Sequence, residues 1–80
     1  MDLDQESVKV LRACVAERSM VELLAVAGRT NRTKFREQVI KPLLDAGFIE
    51  MTVPEKPRSS KQRYRATARG RAWLDERERR

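Results

Sequence analysis

Arg29, Arg32, Lys34, Arg36 and Lys41 crowd one short stretch, with Glu37 the one acid among them. The segment TNRTKFREQVIKPLLDAG has the outline of an amphipathic helix, with Thr30 or Asn31 to start it and Gly47 to stop it. The cations therefore gather where a helix is already the positive end of its dipole. Such an end suits a polyanion, whose phosphate oxygens accept from guanidinium and ammonium groups and from the free N–H groups of the first turn. At about 100° per residue, Thr33, Lys34, Glu37, Gln38 and Lys41 fall opposite Phe35, Val39 and Leu43, while Arg32 and Arg36 fall nearer the buried side. A second basic group follows in the chain. Lys56, Arg58, Lys61, Arg63 and Arg65 face only Glu55, and Ser59 and Ser60 between them carry hydroxyls that donate to phosphate.

Each of these residues also has a plainer role. Glu37 and Lys41 stand at i,i+4 spacing, and Arg32 and Arg36 are placed to pair with acids of preceding helices. Charges on a hairpin keep its edges from pairing with other chains. Arg65 lies deeper in its strand, where its stem packs. Tyr64 and Trp73 read as core anchors rather than stacking platforms, and Cys14 as a small inert hydrophobe.

Composition narrows the chemistry. The chain has no histidine and one cysteine, which excludes zinc fingers, metallohydrolases and Ser-His or Cys-His nucleophile pairs. It holds no phosphate-cradling glycine loop and no metal set, so neither enzyme activity, nor a cofactor, nor a small-molecule substrate is expected. A net charge of +6 points to polyanions or acidic protein surfaces. A lone cysteine fits a reducing cytoplasm, and no apolar run is long enough to span a bilayer or form a signal peptide. Eighty residues, 40% of them hydrophobic, suffice for a single domain with a thin core.

The elements that must position the two basic groups follow from periodicity. Residues 4–17 read as a first helix, with Val8, Leu11 and Val15 in line, Cys14 beside them, and Asp2, Asp4 and Glu6 at its start. Ser19-Met20-Val21-Glu22 has capping-box spacing for a second helix through Val21, Leu23, Leu24 and Val26 to Gly28. The third helix follows after Arg29–Asn31, with Pro42 expected to bend it near Gln38. FIEMTV alternates with Ile49, Met51 and Val53 on one face. QRYRAT alternates with Gln62, Tyr64 and Ala66 opposite Arg63, Arg65 and Thr67. PEKPRSSK between them reads as an eight-residue hairpin loop. ARGRAWLDERERR reads as a short helix anchored by Ala68, Ala72, Trp73 and Leu74, ending in a charged fraying tail.

This order predicts an α+β winged helix-turn-helix: a three-helix bundle, a two-stranded antiparallel wing and a short C-terminal helix, with its core at about residues 4–74. The expected partner is double-stranded DNA. The third helix would enter the major groove, with Arg29, Thr30, Asn31, Arg32, Thr33, Lys34, Arg36, Glu37, Gln38 and Lys41 at or near the contact, and Lys56, Arg58, Ser59, Lys61 and Arg63 would clamp the backbone. The alternative is a winged helix whose basic surface docks on a protein without binding DNA. Pairing with a second copy through either terminal helix stays open.

The pieces NRTKFR, IKPLLDAGFIEMTVPEKP and KQRYRAT with its following RG, within a stretch covering residues 18–74, resemble a winged-helix domain at the C-terminus of prokaryotic multidomain regulators. These include Fic-type proteins and the ATP-binding transcriptional regulators with a Schlafen-like AlbA_2 domain, some of them helicase-related. The resemblance makes Pro42 an ordinary family feature. It implies a module of transcription regulation or DNA targeting at the end of a longer protein, whose catalytic or nucleotide-binding part lies elsewhere. In a Fic-type parent it would regulate or position the nucleotide-transferring domain.

Overall fold

Each helix begins at a side chain that accepts from its own first turn. In the computed structural model, which describes residues 3–79, Asp4 caps the first helix, Gln5–Ala13, by accepting from the Ser7 N–H at 2.7 Å. Ser19 and Glu22 form the predicted capping box of the second helix, Met20–Ala27, which Gly28 ends in the left-handed conformation. Of the two candidates for the third cap it is Asn31, accepting from the Lys34 N–H at 3.0 Å. Thr67 caps the C-terminal helix, Ala68–Glu78, and its hydroxyl donates to the Gly47 carbonyl.

The third helix runs over residues 32–45 in three registers: α over Arg32–Phe35, π over Arg36–Ile40, and α again over Lys41–Asp45. Pro42 has no N–H to offer the Gln38 carbonyl, and in an α turn its ring would strike it. A five-back bond from the Lys41 N–H to the Arg36 carbonyl widens the turn just ahead of the proline. The bend predicted near Gln38 is thus taken up as a wide turn, and the helix continues.

Strands β1, Ile49–Met51, and β2, Tyr64–Ala66, pair antiparallel with Glu50 opposite Arg65. The second strand is bonded on its other edge as well. Arg18 and Tyr64 exchange backbone hydrogen bonds at 2.9 and 2.8 Å, and the Ala66 N–H donates to the Cys14 carbonyl at 2.7 Å. The first interhelical segment therefore lies along β2 like a third strand. This arrangement of four helices and a two-stranded sheet is compatible with a winged helix.

Phe35, Val39 and Leu43 are buried as predicted, together with Ile40, and pack with Leu11, Leu23, Phe48, Ile49, Tyr64 and Leu74. Several sequence expectations need correction. The first helix ends at Ala13 because the chain turns there to meet β2, which leaves Val15 exposed and buries Val10. The second helix runs through Val21 and Val26 as expected, but it buries Leu23 and Leu24 and leaves those two valines exposed. The strands span three residues each, and the pairing is prolonged beyond them by the Thr52 N–H to the Arg63 carbonyl. Ala68 and Ala72 face solvent, and the C-terminal helix is anchored by Gly70, Leu74 and half-buried Trp73, whose ring lies 5.9 Å from Phe48. The expected fraying tail is helical through Glu78, while Arg80, like Asp2, lies outside the described residues. Arg65 does not pack its stem; it pairs across the strands with Glu50.

Candidate functional site

Buried Gln62 organises the connection between the strands. Its side-chain oxygen accepts from the Val53 N–H at 2.9 Å, and its amide donates to the carbonyls of Val53 and Lys56. Three successive turns complete the loop: Lys56 to Val53, Ser59 to Lys56 and Gln62 to Ser59. The eight-residue loop expected from the sequence is therefore folded into turns, and it shares cleft walls with the third helix.

The two basic segments meet there. Arg32 and Arg36 of the third helix line one cleft with Arg58, Ser59 and Ser60 of the loop and Ser19 of the second helix, enclosing about 270 Å³. Glu37, Ile40, Lys41, Leu44 and Met51 line a neighbouring groove of about 200 Å³, with Arg36, Pro57, Arg58 and Tyr64 shared between the two. Arg32 is exposed rather than near the core, and Arg36 is half-buried against Tyr64. Burial raises the Tyr64 phenol above its ordinary value, and the charge and hydrogen bond of Arg36 oppose that shift.

The other predicted residues divide by partner. Thr33, Lys34, Glu37, Gln38 and Lys41 form an exposed face of the third helix, as their spacing required, and Lys56 and Lys61 are exposed on the loop. Among the described residues none of Arg32, Lys34, Lys41, Lys56, Arg58 and Lys61 forms an ion pair, so the predicted Glu37–Lys41 pair is not made. Thr30 is exposed, and the Asn31 oxygen is occupied as a cap.

Arg29 and Arg63 are engaged internally. Arg29 binds the Glu6 carboxylate with two nitrogens and, through the third, the Gln38 side-chain oxygen at 2.9 Å. The Glu6 hydrogen bond raises its already high pKa, so it is a fixed cation that ties the first helix to the third. Arg63 reaches Glu22 at 3.2 Å, and Arg18 reaches the same carboxylate at 3.6 Å. The capping hydrogen bonds of Ser19, and then these arginines, hold the Glu22 carboxyl below its usual range. Sequence reasoning missed the Glu6–Arg29–Gln38 relay, because its partners are 23 and 9 positions apart and share no local motif. It also missed Ser19 as part of the cleft, having seen it only as a cap.

Cys14 is buried, which pushes its thiol up to about 12 and leaves it protonated and unreactive. Among the described residues no acidic or thiol cluster could hold a metal ion, and no helix is long and apolar enough to cross a membrane.

Comparison with known proteins places this geometry. A search of curated proteins finds no match. A Fic family protein from Desulfovibrio desulfuricans G20, known from a crystal structure at 2.70 Å resolution, is 30% identical and superposes with a TM-score of 0.72. The match covers 84% of this chain but 21% of that one, so this chain corresponds to about a fifth of the larger protein. The family model for the filamentation induced by cAMP protein Fic-like, C-terminal domain, matches residues 6–67, from the first helix through the loop to the end of β2. Sequence and fold agree on the Fic-type side of the resemblance, and the chain belongs to the Fic-like C-terminal domain family.

Proposed function

We propose that this chain is a winged helix-turn-helix domain that binds double-stranded DNA, serving as a targeting or transcription-regulating module of a Fic-type protein in the cytoplasm and performing no catalysis itself. The observation that supports this reading most is the meeting of Arg32 and Arg36 with Arg58 across one cleft, beside Lys34, Lys41, Lys56 and Lys61. Among the described residues, seven cations without an acidic partner then lie on the third helix and the hairpin loop, the two elements that straddle a duplex. In this reading Thr33, Lys34, Glu37 and Gln38 approach base edges in the major groove, and the loop grips the backbone.

Titration of a labelled duplex at several salt concentrations tests it. Neutralising about six phosphates gives a slope of log K against log salt near −5. A slope shallower than about −2, or no binding at low salt, overturns the proposal.

One observation favours a second reading. The groove formed by Ile40, Leu44, Met51 and Pro57 is apolar, and Arg36, Lys41 and Arg58 outnumber Glu37 among its charged lining, which suits an acidic, amphipathic segment of a partner or of another domain of the same protein. That reading predicts a complex with much weaker salt dependence and no affinity for duplex DNA.

A further inference from the structure

The cleft between the third helix and the hairpin loop carries more than a diffuse positive surface. Its walls bring arginines from two separate elements, Arg32 and Arg36 on one side and Arg58 on the other, and no carboxylate among the described residues lines it. The nearby Glu22 carboxylate is already occupied by Arg18, Arg63 and the Ser19 N–H. Three serines line the same space. Ser19 and Ser59 use their oxygens as acceptors, for the Glu22 and Lys61 N–H groups, which leaves both hydroxyl protons to donate. Ser60 adds a third hydroxyl. At about 270 Å³ the cleft is slightly smaller than pockets that enclose whole cofactors, and it suits one charged group with part of its carrier. The loop is held in place by buried Gln62, so the donors are arranged before any ligand arrives.

We propose that this cleft is a phosphate-binding pocket, in which Arg32, Arg36 and Arg58 surround one phosphate group and the serine hydroxyls donate to its oxygens. Guanidinium forks from two sides match tetrahedral oxygens, which ammonium point charges do not. A strand phosphate of DNA and a free phosphate present the same oxygens, so the pocket does not depend on the DNA reading.

Inorganic phosphate titrated into the 15N-labelled protein, with chloride at matched ionic strength as the control, tests the pocket. The amides of Ser59, Ser60 and Gln62 and the Nε–H signals of Arg32 and Arg58 are expected to shift together on one saturable curve. Arg32→Gln and Arg58→Gln should each weaken that binding about tenfold, and Lys61→Gln less than about twofold. Both arginines are exposed, so neither change opens the core. Shifts that do not saturate, or that Lys61→Gln reduces as much as Arg58→Gln does, overturn the proposal.

Duplex titration of the same variants identifies the source of the phosphate. If Arg32→Gln and Arg58→Gln weaken duplex binding more than Lys61→Gln does, a strand phosphate occupies the pocket. If phosphate binds without duplex binding, the pocket stands and the DNA reading falls. Duplex binding with no specific phosphate effect leaves the DNA reading standing and removes the pocket.

Discussion

Gln62 shows how one neutral side chain sets where several charged ones go. Its amide is buried and satisfied on both ends, bridging Val53 and Lys56 from inside the loop. Gln62→Ala would leave the half-buried Val53 N–H and two carbonyls without that partner, at a cost of about 1–3 kcal/mol. The change should speed amide exchange through residues 53–60 while Val39 and Leu43 keep their protection, because the loop is a local unit against a common core. Uniform loss of protection would show instead that Gln62 acts on the whole fold. Local chemistry at this scale was readable in advance: the Ser19–Glu22 box and a cap at Thr30 or Asn31 all act within a few positions. Alternation also placed Gln62 inward with Tyr64 and Ala66. What Gln62 bonds to, and the pairing of Glu6 with Arg29, depend on how distant segments fold back, which no local pattern records.

At the scale of elements, the C-terminal helix lies against the backbone of the turn before β1. A Cβ on Gly70 would stand 2.1 Å from the Phe48 carbonyl oxygen and 3.1 Å from a Leu11 methyl. The carbonyl cannot retreat, because it accepts from the Thr67 N–H at 2.9 Å. Gly70→Ala is therefore expected to destabilise the domain by about 1–3 kcal/mol, despite the better helix propensity of alanine. The midpoint of chemical denaturation checks this, and an unchanged midpoint would mean that the helix shifts freely off Phe48. The helix itself was legible from ARGRAWLDERERR, and Trp73 and Leu74 do anchor it, but the contact was also assigned to Ala68 and Ala72. Periodicity alone set the facing there, and a glycine contributes no apolar signal although it permits the closest approach. In the third helix the buried stripe was plain, and Pro42 announced a local fault. Whether a helix meets such a fault by ending, kinking or widening is decided by the packing of Val39, Ile40 and Leu43 on both sides of it.

For the whole molecule, the relevant quantity is how charge separated in sequence is gathered in space. The segments 28–41 and 54–65 were visible as basic blocks, and the order of helices and hairpin suggested that they would meet. The sharing of one cleft by Arg32, Arg36 and Arg58 required the loop to fold inward, which its prolines and serines did not disclose. If this face binds DNA, the combined change of Lys56, Arg58 and Lys61 to Glu should lower affinity about a hundredfold or more on every duplex at low salt. Gln38→Ala should alter the ranking of sequences instead, since it lies on the exposed face of the third helix. Fluorescence anisotropy over a panel of duplexes separates the two patterns, and a triple variant that binds as the parent does would clear the loop of any role.

Tyr64 and its neighbours in β2 are bonded on both edges, to β1 and to the segment joining the first two helices. The hairpin consequently has no hinge at its base: tilting it would break contacts on two flanks at once. Whatever molecule lands on the loop meets a rigid outcrop of the helical body, not a flap that swings to receive it. Its association is spared the entropy of ordering a receptor, and the strain it applies is delivered straight to the junction at Cys14 and Arg18.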